Sequence, residues 1–357
     1  MKLIRDPTLL YVLHSGKLFG SERMAIATLM GLSRDFDCLL LAPPGPALLE
    51  ARAHGLCAVG FGGIASLGYK MVGQLLRRRS ITLVATGVSQ SLLAIALAAL
   101  TFSRLHHFHI VHGGADEYLS YGRKCVLLRF AVQYVAVSGF VRERLIAHGV
   151  PASRITVIEN FLNSDADTPL HAGELHGIKR IALVSRLDPI KRVDLLLSAL
   201  EQTPALRDLQ FDVFGTGWDE AALRQRALDA SLAVRFAGFS STVPEALACS
   251  DLLLHTCPQE PFGLAILEAM RAGVPVLVPD TGGPAGFIRD GENGFTYRAN
   301  DAIDLARKLL EIRALAPARL QHVVAAATRT QRERFGAAQR IDDYRRLLLG
   351  APSQALA

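Results

Sequence analysis

Residues 9–14, Leu-Leu-Tyr-Val-Leu-His, are apolar at nearly every position rather than at alternate ones. A strand of that kind meets water on neither face, so it belongs in a parallel sheet covered by helices on both sides. Similar runs return at Cys38–Leu41, Ile81–Ala85, His107–Val111 and Tyr134–Val137, each trailed by a turn or a helix-length segment such as Glu22–Leu32. Asn163–Gly177 then interrupts the pattern; it is polar, carries Pro169, Gly173 and Gly177, and reads as a linker. Beyond it the runs resume at Ile181–Val184, Phe211–Phe214, Val234–Ala237, Leu252–His255 and Val274–Val278. The expected fold is α/β, with two doubly wound Rossmann-like domains over 1–170 and 171–357. Helices are expected at Asp301–Leu315 and Pro317–Leu349, the last crossing back to the first domain. Ligands in such sheets bind outside the carboxyl ends of the strands, so the cleft between the domains is the expected active site.

Half of the 357 residues are apolar and a fifth are charged, which suits a core-forming protein and excludes disorder outside the last residues, Ala351–Ala357. Met1–Pro7 has no signal-peptide pattern. The longest apolar stretch, Leu92–Leu100, is about half of the ~20 residues a membrane span needs, so a buried helix is expected there. Cys38, Cys57, Cys125, Cys249 and Cys257 form no CxxC pair and read as reduced thiols of a cytoplasmic protein, Cys257 as an inert core thiol. The net charge of +6 resides in the first half, where residues 1–170 hold 17 basic and 11 acidic side chains against 22 of each in the remainder. A one-sided basic domain points to an anionic partner.

The densest chemistry lies in Pro258-Gln259-Glu260-Pro261-Phe262-Gly263-Leu264, followed by an apolar helix carrying Glu268. Such a turn aims a carboxylate and free backbone N–H groups at one small volume, matching the hydroxyls and charged oxygens of a sugar diphosphate. After the first strand of the second domain, Ser185-Arg186-Leu187 and Lys191 supply a planar fork and a point charge suited to a pyrophosphate, with Arg192 a solvated bystander. Gly215 and Gly217 allow close approach to a ligand, and Phe239 lies at a similar strand end, although turn geometry explains these glycines almost as well. In the first domain, His112 follows a strand beside Gly113 and Gly114, with Asp116 and Glu117 close enough in sequence to meet an acceptor hydroxyl. The loop from His14 to Glu22 has small residues where a backbone would approach a phosphate.

Ser185-Arg186-Leu187 with Lys191, the Glu260-x7-Glu268 turn and Gly282-Gly283 together resemble the retaining glycosyltransferases of family 4, which have the GT-B fold. The resemblance runs over most of the chain and is strongest from 181 to 297. It implies that Arg186 and Lys191 clamp the diphosphate, that Glu260 holds sugar hydroxyls and that Glu268 holds the ribose. It further implies that the N–H groups of Phe262, Gly263 and Leu264 contact sugar or phosphate. His112 resembles the family's histidine near the anomeric carbon, and Gly20 its first-domain glycine at the diphosphate. Two positions depart from the pattern: Phe19 replaces the first glycine of that loop, and Gly286 stands where the family has a glutamate.

The activity so implied is transfer of a sugar, with retention, from a UDP- or GDP-sugar to a hydroxyl of a glycan or lipid-linked acceptor in cell-envelope, lipopolysaccharide or exopolysaccharide synthesis. No metal or other cofactor is expected, because Asp35-Phe36-Asp37 follows a helix and Asp165-Ala166-Asp167 lies in the linker. Apolar and basic residues mixed over Gly68–Arg79, extended by Arg123, Lys124 and Arg129, suit an anionic membrane surface, here the inner face of the cytoplasmic membrane. Lys191→Ala is expected to slow transfer far more than it weakens the fold. The rival readings are an epimerase or phosphorylase of the same fold, or a non-catalytic binding protein; no nucleic-acid partner is expected.

Overall fold

The computed structural model describes residues 7–78, 80–114, 116–163, 177–240 and 243–350. These fall into two compact units, with chain divisions at Asn163/Ser164 and again at Gly336/Ala337. The expected linker lies mostly outside the described residues, as do Asp165, Asp167, Arg79 and the tail from Ala351.

The first unit is built on a sheet of seven strands: β1 (Thr8–Val12), β2 (Asp37–Ala42), β3 (Cys57–Gly60), β4 (Ser80–Ala85), β5 (Arg104–Val111), β6 (Val132–Ala136) and β7 (Ile155–Val157). Their order is β3-β2-β1-β4-β5-β6-β7, and every pairing is parallel. The second unit holds β8 (Arg180–Val184), β9 (Gln210–Phe214), β10 (Val234–Gly238), β11 (Leu252–Leu254), β12 (Val276–Pro279) and β13 (Phe295–Tyr297), ordered β10-β9-β8-β11-β12-β13 and again parallel. Both are Rossmann-like sheets, and each reverses its winding once, between β1 and β4 and between β8 and β11. Those reversals open crevices at the strand ends where ligands of such folds bind.

The expected strands all form, and β3, β7 and β13 are additional. Each of the three is a sheet edge of three or four residues with a neighbour on one side only. Being partly exposed and short, they lack the continuous apolar run that betrays a central strand. The core of the first unit joins Leu10, Val12 and Leu83 to Leu67, Met71 and Leu75 of the Ile64–Arg77 helix. The Val88–Leu100 helix, expected to be buried, hides only one face through Ser91, Ala94 and Ala98, and leaves Leu100 exposed. In the second unit, Leu196 and Leu200 of the Val193–Gln202 helix and Leu305 and Leu309 of the Ala302–Arg313 helix share a core with Ile181 and Phe211.

The single helix expected over 317–349 is instead two, Pro317–Arg334 and Ala337–Leu349. Phe335 is fully buried against Phe262 and Phe287, with ring centroids 5.6 and 4.9 Å away, and this anchors the break. At Gly336 a Cβ would lie 2.8 Å from the Arg332 carbonyl oxygen, so a side chain would crowd the turn. Pro317–Arg334 stays with the second unit, where Thr328 Oγ1 donates to Met270 O at 2.9 Å. Ala337–Leu349 joins the first unit and packs on the Gly20–Leu32 helix, where Arg345 also reaches Asp35 at 2.9 Å.

That contact depends on Gly31, where a Cβ would come within 2.5 Å of the Ile341 side chain. Alanine in a helix interior gains about 1 kcal/mol over glycine, whereas overpacking costs about 1–3 kcal/mol. Gly31→Ala should therefore lower the Tm of the wild-type chain and raise it in an Ile341→Ala background. Thermal unfolding checks the sign reversal; stabilisation in both backgrounds contradicts the packing described.

Candidate active site

In the second unit the loop after β8 and the loop after β11 meet at the strand-order reversal. Lys191 Nζ donates to Glu260 Oε2 at 2.7 Å, with the two side chains only 15% and 13% exposed. The loops are also joined through the main chain, since Thr256 Oγ1 donates to the Lys191 carbonyl at 2.7 Å. The same oxygen of Glu260 also faces His255, whose Nε2 is 3.3 Å from Oε2 but off the line of a good hydrogen bond. Burial pushes the Glu260 carboxyl up, yet Lys191 and His255 outweigh it and hold the group well below the usual carboxylate range. Burial likewise pulls Lys191 down, and the Glu260 charge more than restores it. The site thus holds a fixed charge pair, its ammonium and carboxylate both ionised.

Arg186 is half exposed, donates from Nη1 to Asp188 at 2.7 Å, and lies close enough to oppose the Lys191 charge. Arg192 is not a solvated bystander: at φ +52° it precedes the Val193–Gln202 helix and bonds Asp194 and Asn300. Gly215 has φ +135°, and a Cβ there would lie 1.8 Å from the Ser185 carbonyl oxygen, so only glycine lets these two loops touch. Gly263, at φ +92°, leads into the Leu264–Ala272 helix, whose first N–H groups have no intrahelical acceptors. Glu268 stands half-buried on the second turn of that helix, while the Phe262 ring is core rather than lining. Phe239 is 66% exposed beyond β10. Gly286, in place of the family's glutamate, faces open space, so the missing carboxylate is not a steric necessity.

The first unit carries a separate cavity of about 540 Å³ at its own reversal, lined by His14, Gln90, His112, Asp116, Arg123 and Lys124. His14 Nδ1 and Thr86 Oγ1 are 2.9 Å apart across the ends of β1 and β4. His112 Nε2 is buried there without a partner, and burial, aided by His14, pushes its pKa down to about 3. It is a neutral imidazole offering a nitrogen to the cavity. Burial, then Arg123, pushes Lys124 down to about 8. Asp116 lines the cavity, but its carboxylate accepts from Leu119 N–H at 2.7 Å. Glu117, expected to meet an acceptor, is engaged elsewhere, by Arg144 Nε at 2.8 Å and His148 Nε2 at 2.9 Å. Gly20 opens the Gly20–Leu32 helix, and the N–H of Phe19 donates to Glu22 Oε2 at 3.0 Å, leaving the Phe19 ring exposed.

The structure therefore brings Lys191, Glu260 and Arg186 together, places Gly215 and Gly263 at the same strand ends, and groups His112 with Asp116. Asp35 and Asp37 pair with Arg345 and Arg78. Sequence reasoning missed His255, which closes an apolar strand run and looks like core. It also missed the cavity role of His14 and Lys124; their only signal is position after β1 and β5.

Two family descriptions match the chain in tandem: Glycosyltransferase Family 4 over residues 20–166 and Glycosyl transferases group 1 over residues 173–329. Each half of the chain is thus similar to a glycosyltransferase family. The lipopolysaccharide core biosynthesis glycosyltransferase LpsE of Rhizobium meliloti is 29% identical over 178 residues, 49% of this chain and 48% of LpsE. A GDP-mannose-dependent alpha-mannosyltransferase of Mycobacterium tuberculosis is 31% identical over 191 residues, covering 50% of this chain and 48% of that one. The chain spans about half the length of these relatives. Among solved structures, Anabaena HepE in complex with UDP and glucose aligns with a TM-score of 0.83 over 96% of this chain and 100% of its own, at 20% identity. The fold is GT-B.

Removing one partner of a largely buried ion pair strands the other charge, at about 3–5 kcal/mol. Lys191→Ala is therefore expected to weaken the fold as well as slow transfer, because Glu260 loses its ammonium partner. Lys191→Met and Glu260→Gln should each destabilise by that order, and the double variant by much less than their sum. Denaturant unfolding checks this; strictly additive losses contradict the pairing.

Proposed function

We propose that this chain is a retaining, metal-independent family 4 glycosyltransferase that takes a UDP-sugar on its second unit and glycosylates a hydroxyl of a cell-envelope glycan or lipid-linked acceptor held by its first. The observation that carries the reading is the Lys191–Glu260 pair at the β8/β11 reversal, with Arg186 beside it. As the bond to the leaving diphosphate breaks, negative charge grows on oxygens that Arg186, Lys191 and the helix start behind Gly263 stabilise. Glu260, kept ionised, accepts hydrogen bonds from sugar hydroxyls and so fixes the ring. The leaving phosphate takes the acceptor's proton. These cations supply the charge that a metal would otherwise provide. UDP is favoured as the nucleotide because a protein of this fold was solved with UDP and with UDP-glucose; the envelope acceptor follows the naming of LpsE.

In the first unit, neutral His112 and the cations Arg123 and Lys124 suit an acceptor that carries an anionic group. No helix among the described residues is long and apolar enough to cross a membrane. The Ile64–Arg77 helix nevertheless turns Tyr69 and Leu76 outward, 83% and 68% exposed, beside Lys70 and Arg77, while Leu67, Met71 and Leu75 face the core. An apolar stripe edged with basic side chains suits the surface of an anionic bilayer, which would bring a lipid-linked acceptor to the protein.

A ligand that binds only the folded state stabilises it, by about 2.7 kcal/mol at a hundred times its Kd. UDP-sugars should raise the Tm clearly, GDP-sugars little, and Arg186→Ala should remove most of the shift. A larger response to GDP-sugars, or a full response in Arg186→Ala, rejects the assignment. Co-sedimentation should rise with the anionic lipid content of vesicles and fall in Tyr69→Ser/Leu76→Ser. Indifference to anionic lipid removes the membrane contact.

A further inference from the structure

The loop after β11 places three metal-ligating groups of different chemistry together: a nitrogen of His255, Sγ of Cys257 and a carboxylate oxygen of Glu260 all lie within 4.8 Å of one another. His255 and Cys257 are 5% and 2% exposed, and the buried His255 Nε2 lies 3.3 Å from Glu260 Oε2, too poorly aligned to make a good hydrogen bond. A buried nitrogen so weakly satisfied is costly, and a ligand there would satisfy it.

The backbone that carries the three groups is pinned at several points. His255 N–H donates to Leu277 O at 2.9 Å and Tyr297 OH donates to His255 O at 3.1 Å. Thr281 Oγ1 donates to Pro258 O at 2.8 Å and Gly283 N–H to Glu260 O at 2.7 Å. Gly283 permits this approach, since a Cβ there would fall 2.2 Å from Pro261 O. A site built on so constrained a loop needs little ordering to bind.

Imidazole, thiolate and carboxylate form a borderline-soft donor set, which suits Zn²⁺ and poorly suits Mg²⁺ or Ca²⁺, whose ligands are oxygens. Three protein donors leave one tetrahedral position to water. The Lys191 ammonium already stands 2.7 Å from the same Glu260 carboxylate. A cation bound to Glu260 repels that ammonium and takes over its carboxylate.

We propose that His255, Cys257 and Glu260 form a Zn²⁺ site that is mutually exclusive with the Lys191–Glu260 ion pair, so that Zn²⁺ acts as an inhibitor at the donor site and not as a cofactor. On binding, the Cys257 thiol proton and any proton on the coordinating His255 nitrogen leave to solvent, and Lys191 is released from Glu260. The inhibitory half rests on the donor-site reading above; Zn²⁺ binding itself does not.

The test uses the full chain, free of nucleotide, competing with a chromogenic chelator for Zn²⁺. Stoichiometric binding is expected, unaffected by excess Mg²⁺. Cys257→Ser and His255→Gln should each weaken it by roughly tenfold or more, the lower end of what even outer-shell partners of a metal contribute. Cys249→Ser, at an exposed thiol, should leave it unchanged. Lys191→Met, which removes the competing ammonium, should tighten it. With Co²⁺ as probe, a thiolate charge-transfer band should appear and vanish in Cys257→Ser. Melting curves confirm that each variant is folded, and Cys257→Ala stands in for any that is not. Wild-type affinity in both Cys257 variants, or no binding in the wild type, overturns the proposal. Zn²⁺ binding without a UDP-sugar response leaves the metal site standing and sinks the donor reading alone.

Discussion

The ion pair of Lys191 and Glu260 is the constraint on which the second unit's site depends. Two charges withdrawn from water cost several kcal/mol each, and attraction repays this only when geometry and further hydrogen bonds are good. Here the geometry is good because both loops leave adjacent parallel strands, β8 and β11, at the same end of the sheet. The Thr256 hydroxyl on the Lys191 carbonyl adds a second stitch, so neither loop moves without the other. His255, facing the same oxygen, keeps Glu260 ionised even in the absence of ligand. On the function proposed above, an arriving diphosphate meets charges already in place, and little reorganisation remains when its own charge develops.

The central strands were legible because burial on both faces writes a continuous apolar run, and β1, β4, β8 and β11 carry that signature plainly. Edges carry less of it: β3, β7 and β13 are short and partly wet, so nothing in Cys57–Gly60 or Ile155–Val157 separates a strand from a loop. Lys191 and Glu260 were legible one at a time, from their places after strands. Their direct contact was not, because they stand 69 positions apart and only the sheet order brings the two loops together. Glu117 shows the opposite failure. Its place in the chain resembles that of a ligand-binding carboxylate, but Arg144 and His148, on the Gly139–Ala147 helix and just past its end, had already claimed it.

The two sites use different electrostatics. In the second unit, burial is overruled by opposite charges and ionised groups persist. In the first, burial prevails, and His112 and Lys124 are both driven toward their neutral forms. A neutral imidazole and a readily discharged amine suit proton-bearing hydroxyls and anions of varying charge, whereas a fixed ion pair suits a diphosphate that never loses its charge.

The seam at Phe335-Gly336 has a consequence for biosynthesis. The Ala337–Leu349 helix belongs to the unit whose sheet is translated first, and Asp35 waits for Arg345, 310 positions further on, as Gly31 waits for Ile341. The second unit ends at residue 336 and has all its parts earlier. On the ribosome the order of completion is thus the reverse of the order of emergence: the half that leaves the tunnel first stays unsealed, with an apolar helix face uncovered, until its last helix follows.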